Sequence, residues 1–234
     1  MILCLETSTA VCSVALCDSS GVVALKESPE DKSHASRLTL FIEELLTGAG
    51  LRAADLEAVA VSKGPGSFTG LRIGVSTAKG IAYAASVPLI GVETTLSMFH
   101  GINEDLKKKY GLDEKSLYVP MLDARRMEVY YSVLKSDGKI VKEISAEIID
   151  ENSFVDFPGN IRMLIFGDGA SKCNKVLKRD NIVIADEFLI SAAYMYKPAF
   201  KSLRERNFED IAYFEPFYLK DFITSRPKKN ILGR

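Results

Sequence analysis

The stretch "SKGPGSFTGLRIG" (62–74) holds the residue types and spacing best suited to chemistry. Gly64, Gly66 and Gly70 punctuate a passage from an apolar run into a helical pattern, and glycine lets backbone approach a ligand closely. A helix starting near Leu71 would leave its first amides unpaired and its positive dipole end facing the loop. Ser67 and Thr69 add hydroxyl donors, so the loop suits an anion such as a phosphate. It is not a Walker loop, because Leu71 and Arg72 follow Gly70 where Lys and Ser/Thr are required. Its glycine spacing is not the dinucleotide fingerprint either. A tight turn whose glycines serve only backbone geometry remains the open alternative.

Nucleophilic chemistry finds less support. Ser67 or Cys4 with His34 or His100 supplies the residue types of a protease, but no nucleophile elbow or positioned third group accompanies them. Cys4, Cys12, Cys17 and Cys173 show no C-x-x-C spacing, and three of them fall in apparent strands. They read as buried, reduced thiols of a cytosolic protein. Asp123, in "LDAR", either holds a metal or pairs with Arg125 or caps a turn.

The elements that must position these residues follow from periodicity. "ILCLE", "CSVALC" and "VVALKE" read as an antiparallel meander over residues 1–28. Leu38, Phe41, Ile42, Leu45 and Leu46 recur at helical spacing, predicting a helix near 34–47. A buried strand at 56–62, a helix near 70–85, a strand at 88–93 and a helix from Thr94 to about Tyr110 come next. Beyond a charged boundary at 103–116 come strands in "LYVPMLDAR", "EVYYSVLK" and "KIVKEISAEII". "RMLIFGDGASK" reads as a strand, turn and short helix, "NIVIAD" as a strand, and 191–206 as a Pro-bent helix. The order is α/β, a meander feeding a parallel layer. The chain of 234 residues divides into a lobe at 1–104, a smaller lobe at 105–220 with the 191–206 helix packing back on the first, and a basic tail at 221–234.

Thirty Lys and Arg against 31 Asp and Glu leave a net charge of −1, which excludes a general nucleic-acid or membrane footprint. No apolar run is long enough to span a bilayer and no signal peptide is visible, so a cytoplasmic protein is expected.

"LETSTAVCSVAL", "SHASRL", "GPGSFTGLRIG", "PLIGVETTLSM", "DARRMEVYY" and "EPFYLK" together resemble the bacterial TsaB (YeaZ) family, once described as glycoproteases. The resemblance covers essentially the whole chain. It implies a two-lobed actin/hexokinase-like (ASKHA) fold, with a mixed β-sheet core flanked by helices and a reduced second lobe. It also implies that Glu6, Thr7 and Ser8 face phosphate and metal, as in nucleotide-binding relatives. It further implies a role without catalysis of its own: partner to a TsaD-like subunit that makes threonylcarbamoyladenosine at position 37 of tRNAs reading codons that begin with A. A TsaE-like ATPase supports turnover, tRNA is met through the complex, and ATP or ADP belongs to the complex rather than to this chain alone.

TsaD-like catalysis uses a metal held by H-x-x-x-H, and here the residue four beyond His34 is Leu38, which cannot ligate. No catalytic or metal-ligating residue is therefore assigned. An ASKHA-type ATPase of weak turnover is the alternative. Glu6, Thr7, Ser8 and residues 64–70 would form its first phosphate site, and "FGDGAS" (166–171) is the only candidate for its second.

The 71–85 helix carries two apolar stripes where one core face needs about 100° of arc. Leu71, Val75, Ala78, Ala82 and Ala85 are assigned to the core. Ile73, Thr77, Gly80 and Ala84, with Leu40 from the preceding helix, are assigned to a partner, either a second copy or the TsaD-like subunit. Coverage of this stripe by the 191–206 helix is the competing expectation.

Overall fold

The computed structural model describes residues 1–29 and 34–220; the basic tail at 221–234 lies outside the described residues. Two five-stranded mixed sheets form the frame. The first has β1 (Ile2–Glu6), β2 (Cys12–Asp18), β3 (Gly21–Ser28), β4 (Ala58–Gly64) and β5 (Leu89–Glu93) in the order β3-β2-β1-β4-β5. The meander pairs β1 with β2 and β2 with β3 antiparallel, while β1–β4 and β4–β5 are parallel. The second has β6 (Leu117–Asp123), β7 (Glu128–Lys135), β8 (Ile140–Ile148), β9 (Met163–Phe166) and β10 (Ile182–Ala185) in the order β10-β9-β6-β7-β8.

Because successive strand residues face opposite ways, β1 supplies two cores. Leu3 and Leu5 meet α1 (His34–Gly48) and α2 (Phe68–Ala85) through Leu38, Ile42, Leu45, Val75, Ala78 and Ala82. Ile2 and Cys4, on the other face, meet Ala192, Met195 and Ala199. Each fully buried aliphatic side chain contributes roughly 1.5–3 kcal/mol before entropy, which fixes the central strands against both layers. All four cysteines are free and buried.

Two helix expectations change. The pattern from Thr94 to Tyr110 is broken into α3 (Thr94–His100) and α4 (Glu104–Lys109). Asn103 caps α4, its side chain accepting the Leu106 amide at 2.9 Å, and this local bond competes with a continuous helix. The 191–206 segment is a 3-10 turn at Ala192–Met195 followed by α5 (Tyr196–Glu205). Pro198 sits in the first turn of α5, where a missing amide costs nothing, so it starts a helix rather than bending one. α5 covers the face of the first sheet opposite α1 and α2, and does not cover the small-residue stripe of α2.

α3 lies between the sheets, Met98 packing with Tyr118, Leu122 and Phe166 of the second. The chain from 207 to 220 then returns over the first lobe. Glu209 pairs with Leu89 at the edge of β5, Lys79 donates to the carbonyls of Ala212 and Phe214, the Phe217 amide donates to Lys63, and Lys220 ion-pairs with Glu128 of β7. No helix among the described residues is long and apolar enough to cross a membrane.

Candidate functional site

A cleft of about 570 Å³ opens where the β1–β2 turn, the 64–70 loop, the 123–125 turn, Asp168 and the 217–220 segment converge. Of the sequence candidates, Ser8, Gly66, Ser67 and Thr69 line it; Glu6, Thr7, Gly64 and Gly70 do not. The reason is how the loop is built.

Glu6 ends β1 with its side chain fully buried. Its Oε1 accepts the Ser8 amide at 2.6 Å and the Ser62 hydroxyl at 2.9 Å, tying the hairpin turn to the end of β4. Burial raises its pKa, against the opposing hydrogen bonds from Ser8, Ser62 and Thr7. The Thr7 hydroxyl donates to the Gly70 carbonyl at 2.8 Å, and the Ser67 amide donates to the Ser8 carbonyl at 2.6 Å. Ser67 caps α2, its hydroxyl accepting the Gly70 amide at 3.3 Å.

The glycines accommodate this contact between backbones. A Cβ on Gly70 would stand 2.0 Å from the Thr7 carbonyl oxygen, and one on Gly66 would stand 2.4 Å from that of Ser8. Gly64 has φ +116° and would meet the Phe217 carbonyl at 2.6 Å; the Gly64–Pro65 bond is cis. The close approach that the sequence offers to a ligand is thus taken by residues 7, 8 and 217. Glu6 and Thr7, expected to face phosphate and metal, are buried and bonded beneath the loop through Glu6 Oε1 and the Thr7 hydroxyl, while Glu6 Oε2 has no hydrogen-bond partner among the described residues. Ser8 and Thr9 are the hairpin's hydroxyl residues at the cleft; Thr9 Oγ1 accepts the Val11 amide at 3.2 Å, and Ser8 Oγ is buried.

The opposite wall is charged. Asp123 accepts the Arg125 amide at 2.8 Å and forms an ion pair with Lys172; its partner is therefore that lysine and its own turn, not the Arg125 side chain. Asp168 Oδ1 accepts the Asp123 amide at 3.1 Å, and desolvation by the surrounding wall raises its pKa, with the Asp123 charge adding to the rise. Among the described residues no group of three His, Cys, Asp or Glu is placed to hold a metal.

Nor, among the described residues of the cleft, is a nucleophile paired with a histidine base. Cys4 is fully buried, Ser67 is occupied as a cap, and neither His34 nor His100 lines the cleft. Leu38, at the position a second ligand would need, is buried in the core of α1.

Tyr130, Phe217 and Tyr218 complete the cleft and were not predicted as site residues. Tyr218 packs on Phe68 with ring centroids 5.0 Å apart and accepts the Arg72 Nε–H at 3.1 Å, while the Arg72 guanidinium lies 4.1 Å over Phe68. The partner stripe divides: Ile73 is half-buried against the first core, Thr77 is half-buried, and Gly80, Ala84 and Leu40 are exposed.

Comparisons with known proteins by sequence and by fold point the same way. Residues 28–222 match the family model of TsaD, tRNA N6-adenosine threonylcarbamoyltransferase. The tRNA threonylcarbamoyladenosine biosynthesis protein TsaB of Escherichia coli is 30% identical over 94% of this chain and 94% of its own length. That of Haemophilus influenzae is 28% identical over 95% and 94%. YeaZ from Pseudomonas aeruginosa superposes with a TM-score of 0.75 at 24% identity, covering 93% of this chain and 99% of that one, which establishes the shared fold. With a relative 30% identical over 94% of its length, this chain belongs to the TsaB (YeaZ) family.

Proposed function

We propose that this chain is the non-catalytic partner subunit of a TsaD-like threonylcarbamoyl transferase, required for threonylcarbamoyladenosine formation at position 37 of tRNAs reading codons that begin with A. The full-length likeness to proteins named for that biosynthesis supports the pathway. The observation that carries the division of labour is Leu38: the side chain four residues beyond His34 is core, so that position offers no second ligand beside the imidazole. The cleft keeps the fold's two-lobed form while Glu6, Thr7 and the glycines close the loop on the protein itself.

The exposed part of the α1–α2 surface, at Leu40, Gly80 and Ala84, is the docking face in this reading. It serves a second copy in the isolated chain and the TsaD-like subunit in the complex. A Cβ at Gly80 would meet nothing within 4 Å, so a partner helix could approach closely there. A TsaE-like ATPase and ATP or ADP join at the level of the complex, where tRNA is modified, and the complex works in the cytoplasm.

Reconstitution tests the reading. Threonylcarbamoyl transfer to tRNA is measured with the TsaD-like and TsaE-like subunits in the presence and absence of this chain, and with this chain alone. Transfer is expected only with all the subunits together. Transfer by this chain alone, or undiminished transfer without it, would overturn the proposal.

A further inference from the structure

On another side of the molecule a groove of about 540 Å³ runs between α5, the end of α3 and the β7–β8 turn at Asp137–Gly138. Three cations of α5 line it: Lys197, Lys201 and Arg204, all exposed. Spaced i, i+4 and i+7, they share one helix face and span about 10 Å along the axis. None forms an ion pair among the described residues, although Lys26, Lys63, Lys107, Lys109, Lys142, Lys172 and Lys220 each do. The groove's acid, Asp137, uses its carboxylate to accept the Lys139 amide at 2.9 Å. On a chain whose net charge is −1, this is a local concentration of positive charge and not a general one.

The groove also has apolar walls. Tyr196 and Phe200 are half-buried, their rings in edge contact at 5.6 Å, and the Tyr196 hydroxyl is tethered to the Ser19 carbonyl at 3.1 Å. His100, half-buried at the end of α3, is held below its ordinary pKa by burial and by the charge of Lys197, so its imidazole feels the same positive field. Like charges kept one turn apart on a helix cost stability unless something compensates them. Three of them strung along a groove with aromatic walls suit a chain of phosphates better than one small anion.

We propose that this groove binds the phosphate backbone of an RNA strand, with Lys197, Lys201 and Arg204 meeting successive phosphates along α5. The choice of RNA among polyanions rests on the reading of this chain as a subunit in tRNA modification. The surface itself rests on the charge, the spacing and the groove.

The test measures binding of the full-length chain to a fluorescently labelled tRNA transcript that reads a codon beginning with A, by anisotropy across a salt series. In Lys197→Gln/Lys201→Gln/Arg204→Gln, affinity is expected to fall at least tenfold at low salt. The slope of log affinity against log salt should become shallower by about two to three, the loss of three phosphate contacts. Lys197→Arg/Lys201→Arg should keep the affinity, as should a control with Lys108, Lys115 and Lys175 changed to Gln.

The proposal is overturned by an unchanged affinity and slope in the folded triple variant or by an equal loss in the control. It is equally overturned if inorganic tripolyphosphate displaces the RNA at matched phosphate concentration, or if the parent chain does not bind the RNA. Threonylcarbamoyl transfer is assayed in parallel with the partner subunits. Failed transfer with intact RNA binding counts against the proposed function and leaves the groove standing.

Discussion

Two side chains at the base of the cleft show how far residue chemistry departs from residue type. Glu6 has the identity of a metal-facing acid, yet it is buried, and its neutral form is favoured. With the folded pKa raised above the unfolded value, the folded protein holds that proton more tightly. Stability is therefore lost as pH rises from the ordinary carboxylate range towards the raised value, and stays lower above it. Glu6→Gln keeps an acceptor for the Ser8 amide and the Ser62 hydroxyl without the buried charge. Its melting temperature should gain on the parent's as pH rises from about 4 towards 8; a difference that does not grow with pH would contradict a raised Glu6 pKa. Ser67 is a helix cap before it is anything else. Ser67→Ala should cost about 1 kcal/mol and lower the melting temperature by about 2–4 °C in calorimetry, with partner binding intact. Loss of a robust ATPase activity in the same variant would instead favour the nucleotide-hydrolysing alternative.

At the scale of elements, α2 carries the sharpest expectation. Its core stripe is where the periodicity predicts it, with Leu71, Val75, Ala78 and Ala82 buried. Ala84, on the far side, is exposed. Ala84→Arg should leave the fold within about 0.5 kcal/mol of the parent, because an exposed substitution touches no packed neighbour. It should weaken association by at least tenfold, since a large charge enters the surface proposed for close approach. Sedimentation for the free chain and pull-down for the complex read this out. A folded variant that still associates places the interface elsewhere. The strands and α1 are legible in the sequence because their signal is local: short, nearly continuous apolar runs bounded by turn residues in β1 and β2, and i, i+3, i+4 spacing in Leu38, Phe41, Ile42 and Leu45. The break at residues 101–103 is harder to read, because the charged run "EDLKKK" that follows is itself helix-forming and hides one capping asparagine. The roles of Glu6 and Thr7 are harder still. Their partners Ser62 and Gly70 lie 56 and 63 residues away, and nothing in the local sequence announces that the glycines make room for a neighbouring turn rather than for a ligand. Tyr218 reaches Arg72 across 146 residues, which is why the aromatic wall of the cleft escaped a reading based on spacing.

For the whole molecule, the segment from 207 to 220 joins elements that are distant in sequence. It leaves α5, crosses the edge of β5, meets α2 and ends beside β7. A sheet edge left bare is a template on which another chain can pair. In the first sheet one border, β3, is exposed through Val22, Val23 and Leu25, while the other, β5, is met at Leu89 by Glu209 and flanked at Gly91 by Glu209 and Phe214. Ending the chain after Arg206 would strip that cover and also remove Phe214 from the first core. Such a variant should scatter light increasingly with concentration and lose amide-exchange protection along β5 first, whereas a truncation after Lys220 should do neither. A truncation after Arg206 that stays monomeric and clear would show that the border needs no guard. The returning segment thus covers one border of the first sheet, and protection against self-polymerisation is the consequence the truncation tests.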